Sequence, residues 1–113
     1  MCARAQFPDS LEERVNMLAD VSVNDISQRY RMNGVLGSGA QATVYAGVSK
    51  KSQRKVAIKV LDAKELEDDE LFDALRMEIQ ILKQIRHPYV VQLIEVVRDT
   101  ERVYIIQECL GGG

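Results

Sequence analysis

Five short runs of β-prone residues predict β-strands. The predicted strands cover residues 29–36, 42–48, 55–61, 91–97 and 102–108. Short polar connections join the first three runs, which favours an antiparallel meander.

Apolar residues recur at helical spacing in two other segments. Ser10 followed by Glu13 fits a capping box, and the pattern predicts a short helix over 11–19. A larger helix is predicted over 63–85, because acidic residues in its first turns suit the positive end of a helix dipole. Its inward stripe is expected to consist of Leu71, Leu75, Ile79 and Leu82.

These elements predict an α+β fold. A five-stranded antiparallel sheet carries one large packed helix, and a short N-terminal helix precedes it. The 113 residues suffice for one modest domain, which we place at 30–113, with a leader at 1–29. The leader holds no recognisable chemistry, so a loosely docked segment is favoured over a regulatory or docking one.

Charge and cysteine content narrow the functional classes. The net charge of −2 gives no support for nucleic-acid binding, and no apolar run reaches the roughly 18 residues that a membrane helix needs. Cys2 and Cys109 form neither a disulfide framework nor a metal site. We therefore expect a cytoplasmic, reduced setting, with no metal, nucleic-acid or membrane partner for this chain.

A glycine-rich turn between the first two predicted strands is the most informative stretch of the chain. It reads L-G-S-G-A-Q-A-T-V-Y from Leu36 to Tyr45. Glycine allows positive φ and lets a ligand approach the backbone. A Gly-x-Gly pair alone is weak evidence for phosphate binding, since many hairpins contain one.

The third predicted strand carries a lysine on a partly apolar face. Alternation places Ala57, Lys59 and Leu61 on one side of this strand. A cation in that position requires an anion, which a phosphate under the glycine-rich turn would supply. Glu78, within or beside the apolar stripe of the larger helix, is the carboxylate predicted to pair with Lys59; the alternative is an ordinary surface glutamate.

Together these segments resemble the protein kinase family, in which a G-x-G-x-x-G-x-V loop precedes a V-A-I-K strand. Gly37, Gly39 and Val44 match the loop, whereas Ala42 replaces its third glycine. A dinucleotide-binding site would open a helix after the glycines, and a P-loop would need G-K-[ST]; neither pattern is present.

The resemblance implies an ATP site. Lys59 and Glu78 would form the catalytic ion pair on the phosphates, and Gln107 would be the gatekeeper. The carbonyl of Glu108 and the backbone of Leu110 would bind the adenine edge. The implied ATP-binding residues are Leu36, Gly37, Ser38, Gly39, Ala40, Gln41, Ala42, Val44, Ala57, Lys59, Gln107, Glu108 and Leu110.

The resemblance covers only the N-terminal lobe of a kinase, ending in the hinge after the fifth strand. No H-R-D-x-x-x-x-N, D-F-G or A-P-E motif occurs, so the general base and the magnesium ligands are absent from the sequence. Magnesium is expected only for the full-length enzyme. The triple glycine at 111–113 fits the hinge, or alternatively a flexible linker.

Two functional hypotheses follow. In the first, the chain is the ATP-binding lobe of a serine/threonine kinase similar to the calcium/calmodulin-dependent kinases, it is inactive alone, and a C-terminal lobe completes it. In the second, it is a non-catalytic regulatory or decoy module that binds a partner protein. Both predict an open apolar surface that includes Leu82 and Leu93, where a second lobe or partner would pack.

Overall fold

One mixed sheet and two helices make up the part of the chain that the computed structural model describes, residues 7–84 and 92–109. The helices are α1 (Leu11–Leu18) and α2 (Asp69–Gln84), and two 3₁₀ turns cover Ile26–Gln28 and Ala63–Glu67. The strands are β1 (Val21–Ser22), β2 (Tyr30–Ser38), β3 (Thr43–Ser49), β4 (Lys55–Asp62), β5 (Leu93–Arg98) and β6 (Arg102–Glu108).

The α+β class is confirmed, but the sheet has six strands in the order β1-β5-β6-β4-β3-β2, where five were predicted. The five predicted strands pair in antiparallel fashion, and the sixth, β1, pairs in parallel with β5. The prediction of a purely antiparallel sheet is therefore wrong at one edge. A strand of two residues is too short to show alternation, so the sequence pattern gave no signal for it.

The predicted helix over 63–85 is divided at Asp68, which has an extended backbone (φ −75°, ψ 118°). The Asp68 carboxylate accepts hydrogen bonds from the N–H groups of Glu70 (2.9 Å) and Leu71 (3.2 Å), so it caps α2. A 3₁₀ turn precedes this cap. Residue 85 lies outside the described residues.

The buried face of α2 is rotated relative to the predicted stripe. Leu75 and Ile79 are buried as predicted, whereas Leu71 and Leu82 are only partly buried. Phe72, which was not assigned to the stripe, is fully buried. Phe72 is also the largest fully buried side chain in the described residues, so its ring is a major part of the packing on this face.

Both faces of the sheet carry a hydrophobic core. The helix-face core includes residues of α1, α2 and the sheet, and consists of Val15, Leu18, Leu61, Ala63, Leu66, Phe72, Leu75, Ile79, Val96, Val103 and Ile105. The outer-face core consists of Ile26, Tyr30, Val56, Ile58, Val97, Tyr104 and Ile106. Apolar side chains are therefore buried on both sides of the sheet.

The N-terminal segment is a part of both cores. Val15 and Leu18 of α1 are buried on the helix face, β1 lines the edge beside β5, and Ile26 is buried on the outer face. The segment thus passes around the β5 edge of the sheet. The expectation of a loosely docked leader is wrong, because burial of each such side chain stabilises the fold by about 1.5–3 kcal/mol.

Candidate functional site

A cleft of about 460 Å³ lies between the β2–β3 turn, β4 and α2. Eight predicted site residues line it, seven in or beside the turn and one on β4. They are Gly37, Ser38, Gly39, Ala40, Gln41, Ala42, Val44 and Lys59. The structure thus brings the glycine-rich turn and the strand lysine together around one space.

The turn is closed by its own backbone. The N–H of Gly39 donates to the carbonyl of Ala42 at 2.8 Å, and a bulge in the β2–β3 ladder lies between Val35 and Gly37. A bulge increases the local twist of a hairpin. The Ala42 side chain packs against the helix-face core, so the residue that replaces the third glycine of the family pattern also anchors the turn.

The two glycines of the turn are not required by backbone conformation, because neither has a left-handed φ. A Cβ at Gly37 would meet nothing within 4 Å, and one at Gly39 would meet only the Ala42 carbonyl at 4.0 Å. Gly47 on β3 differs: a Cβ there would lie 2.8 Å from Ile58 Cδ1 and 2.9 Å from the Arg31 carbonyl. Gly47 is therefore needed for packing, whereas Gly37 and Gly39 leave free space in the cleft.

The predicted pairing of Lys59 with Glu78 is present, with Lys59 Nζ 3.5 Å from Glu78 Oε2. Lys59 stands opposite Val44 and Ile105 in the sheet, and Ile105 belongs to the helix-face core, so the lysine points to the same side as α2. The two side chains are 34% and 48% exposed. An ion pair this exposed contributes about 0–1 kcal/mol, so it adds little to the stability of the fold.

Of the residues predicted around the adenine, Val44 lines the cleft, whereas Leu36, Ala57, Gln107 and Glu108 do not. Ala57 and Gln107 face each other in the neighbouring cross-strand row, on the side of the sheet where Lys59 lies. Leu36 lies in the β2 bulge and is 60% exposed, and the Glu108 carboxylate lies 3.6 Å from Arg54 Nη1. Leu110 falls outside the described residues.

Three leucines that were not predicted as site residues complete the cleft: Leu61, Leu71 and Leu75. The sequence contained a signal for each of them. Alternation puts Leu61 on the same side of β4 as Lys59, and the other two belong to the apolar stripe of the helix that carries Glu78. Leu71 and Leu75 were interpreted as part of an inward stripe, and Leu61 as a neighbour of Lys59 on the strand. Leu61 and Leu75 are both buried and also border the cleft.

Within 7–84 and 92–109, no group of three or more His, Cys, Asp or Glu side chains is arranged to hold a metal ion. Neither helix in those ranges has the length and apolar content to span a bilayer.

Comparisons with known proteins agree with the geometry. The family model described as protein kinase domain matches residues 30–113. CBL-interacting protein kinase 10 of Oryza sativa subsp. japonica is 40% identical over 80% of this chain and 20% of its own length. CBL-interacting serine/threonine-protein kinase 18 of Arabidopsis thaliana is 39% identical over 80% of this chain and 17% of its own length.

A third relative comes from an animal. Calcium/calmodulin-dependent protein kinase type 1 of Macrobrachium nipponense is 40% identical over 78% of this chain and 25% of its own length. The chain thus spans about a fifth of the length of the curated relatives that it matches. Its six-stranded sheet with a helix that pairs Glu78 to a strand lysine is the fold of a kinase N-terminal lobe. The chain belongs to the protein kinase family.

Proposed function

We propose that this chain is the ATP-binding lobe of an intracellular serine/threonine protein kinase. The observation that carries the proposal is the Lys59–Glu78 pair beside the cleft under the glycine-rich turn. In this pair a carboxylate orients the lysine, and the neighbouring turn has glycines that leave free space beside its backbone. Such an arrangement is suited to binding a polyphosphate.

The residues of the cleft fit such a ligand. Its volume of about 460 Å³ lies in the range of small-molecule sites, roughly 300–1,000 Å³. The free space beside Gly37 and Gly39 would admit phosphate oxygens close to the backbone. Leucines from β4 and α2 form an apolar wall that would limit access of water.

Each side chain would have a separate task when ATP is bound. ATP supplies the phosphoryl group that a kinase transfers. Glu78 would hold the Lys59 ammonium in the cleft, Lys59 would contact the phosphates, and Val44 would give apolar contact to the base. Ala57, Gln107 and Glu108, along the adjoining row of β4 and β6, would extend the site towards the adenine.

Calorimetry with ATP, with and without magnesium, tests the proposal. We expect weak binding to the wild-type chain and its loss in Lys59→Ala. Lys55→Ala is the matched control, since Lys55 lies on the same strand and the same side but does not line the cleft. Equal affinity in wild type and Lys59→Ala would contradict the proposal.

Phosphoryl transfer by these 113 residues alone is not expected. The sequence contains no H-R-D or D-F-G motif, which in kinases provide the general base and a magnesium ligand. A phosphorylation assay should give the same background rate for wild type and Lys59→Met. Metal-dependent turnover above that of the variant would show that the chain is active by itself.

A second candidate function is a non-catalytic module that binds a protein partner. It is favoured by large apolar side chains that the structure leaves exposed: Met17, Val35, Leu36, Met77, Ile81 and Ile94. Leu82 and Leu93, predicted to be open, are partly buried. Partner capture that persists in Lys59→Ala and is lost in Met77→Lys would favour this function over nucleotide binding.

A further inference from the structure

The helix that carries Glu78 is held at its N-terminal end by one buried arginine. Arg14 of α1 donates from Nη1 to the carbonyls of Leu66 (2.8 Å) and Glu67 (3.2 Å), and from Nη2 to Asp69 Oδ1 at 2.6 Å. Its Nε donates to the carbonyl of Pro8 at 2.8 Å. One side chain therefore ties the leader, the 3₁₀ turn and the first residue of α2 together.

Aromatic contacts fix this arginine. Its guanidinium carbon lies 5.1 Å from the centre of the Phe72 ring and 5.8 Å from that of Phe7. The two rings pack edge to face with centroids 5.4 Å apart. A desolvated cation between two rings is held more tightly than an exposed one. The start of α2 is thus bound to residues from the very beginning of the described chain.

The C-terminal end of α2 is held by a different residue of the same segment. Asp20 is anchored on β5: its N–H donates to the Val96 carbonyl at 2.7 Å, and its Oδ2 accepts the Val96 N–H at 2.9 Å. Its other oxygen, Oδ1, lies 3.0 Å from Lys83 Nζ in the last turn of α2. Asp20 therefore links the sheet edge to the helix end.

Glu78 lies between these two attachments, and its partner Lys59 lies on the sheet. Any tilt or shift of α2 changes the distance between Glu78 and Lys59, because the helix moves as a unit. We propose that residues 7–20 form a clamp on both ends of α2, and that Arg14 and Asp20 are positioning residues for the Lys59–Glu78 pair. This inference rests on the proposed nucleotide-binding function of that pair.

The two attachments differ in strength, and this decides which variant is informative. Arg14 is buried and its loss threatens the fold. Lys83 and Asp20 are 47% and 38% exposed, so Lys83→Met should leave global stability almost unchanged. Lys83→Arg restores the charge, and Lys64→Met removes an exposed lysine of the 3₁₀ turn as a control.

Amide hydrogen exchange of the full 113-residue chain is the first arm of the test. In Lys83→Met, peptides of α2 should exchange about two- to fivefold faster, as expected for loss of one exposed ion pair, while β4 and β6 stay unchanged. Lys83→Arg and Lys64→Met should match wild type. Unchanged exchange in α2, or a uniform increase over all elements, would overturn the clamp.

Nucleotide affinity is the second arm. We expect the affinity for ATP to fall about threefold in Lys83→Met and to recover in Lys83→Arg. In the Lys83→Met background, Glu78→Gln should then cost less affinity than in wild type, because the pair is already misplaced. Faster α2 exchange with unaltered affinity overturns the positioning role. If wild type does not bind ATP, the proposed function fails, and hydrogen exchange alone decides whether the clamp exists.

Discussion

Two of the ion pairs that attach α2 to the rest of the molecule, Arg14–Asp69 and Lys59–Glu78, differ in almost every physical respect. Arg14 contacts Asp69 at 2.6 Å with only 10% of the arginine side chain exposed, and it also serves three backbone carbonyls. Lys59 contacts Glu78 at 3.5 Å with about a third of the lysine exposed. The first pair stabilises the fold, and the second leaves a cation accessible in a cleft.

The difference shows that one helix can have a buried contact that stabilises the fold at its N-terminal end and an exposed contact that adds little to stability in its middle. Buried hydrogen bonds to a charged group are costly to lose, since they leave unsatisfied partners behind. An exposed pair is worth little to stability, and can therefore exchange one of its partners for a ligand.

The largest expected effect is in Arg14→Met, which keeps an apolar stem but removes four hydrogen bonds. The free energy of unfolding should fall by about 3 kcal/mol, because buried carbonyls lose their charged donor. Urea denaturation measures the change. Arg54→Met, at a side chain 74% exposed, is the control and should change stability by less than about 0.5 kcal/mol. Equal changes in the free energy of unfolding for the two substitutions would show that the buried Arg14 contacts contribute no more to stability than an exposed arginine does.

A second large effect is expected from Gly47→Ala. The new methyl group would approach a backbone carbonyl at 2.9 Å, and overpacking of this kind costs about 1–3 kcal/mol. Gly37→Ala adds the same group into open space and should leave unfolding by urea within about 0.5 kcal/mol of wild type. Comparable destabilisation at both positions would show that the turn glycine is also a packing requirement.

A smaller effect is expected in the pH dependence of stability, because Tyr104 of the outer-face core contacts Asp99. Burial, with the hydrogen bond to Asp99 and its charge, raises the pKa of Tyr104 to about 12. The protonated Tyr104 hydroxyl therefore stabilises the folded state below the ordinary tyrosine pKa of about 10, and this stabilisation is lost as the pH rises towards 12.

The same contact acts at low pH with the opposite sign. Burial raises the pKa of Asp99, but hydrogen bonds from Tyr104 and from the N–H groups of Glu101 and Arg102 outweigh it and lower the pKa overall. Stability should therefore fall as the pH drops through the acidic range. Urea midpoints across the pH range should vary less in Tyr104→Phe than in wild type; identical profiles would count against this contact.

The smallest effect on stability is expected at the cleft pair itself. Glu78→Gln should change the free energy of unfolding by less than about 0.5 kcal/mol, as for other exposed pairs. Its affinity for ATP should nevertheless fall on the order of fivefold, because the lysine loses its orienting partner. Glu70→Gln, at an exposed glutamate of the same helix, is the control for both measurements. A large loss of stability in Glu78→Gln would place this pair among the structural contacts.

Local patterns predicted more of the sheet than of its surroundings. The strand over 102–108 was placed at its observed bounds, and the other four predicted strands end within two residues of theirs. The Ser10 cap is present, since its side chain accepts a hydrogen bond from the Glu13 N–H at 3.3 Å. In contrast, Phe72 and the path of the N-terminal segment were missed, because each depends on partners far away in the chain.

The candidate site shows the same division. The joining of Lys59 to Glu78 was predicted, because strand alternation puts Lys59 on a partly apolar face and helical spacing puts Glu78 beside the apolar stripe, and the resemblance to kinases made the pairing specific. The contribution of Leu71 to the cleft was not, since only the approach of the turn to α2 makes this leucine a wall residue. The catalytic and adenine-binding roles of the predicted residues remain predictions.

The resemblance to the kinase family made the pairing of Lys59 with Glu78 specific. The sequence by itself determined five of the six strands in the described residues, the two helical segments and the glycine-rich turn. These follow from periodicity and spacing, which act over a few neighbouring residues. Only the tertiary structure decided that residues 7–20 contact both ends of α2, and that the leader passes from one face of the sheet to the other. Such contacts join Arg14 to Asp69 and Asp20 to Lys83, and no local pattern encodes a contact between segments so distant in the chain.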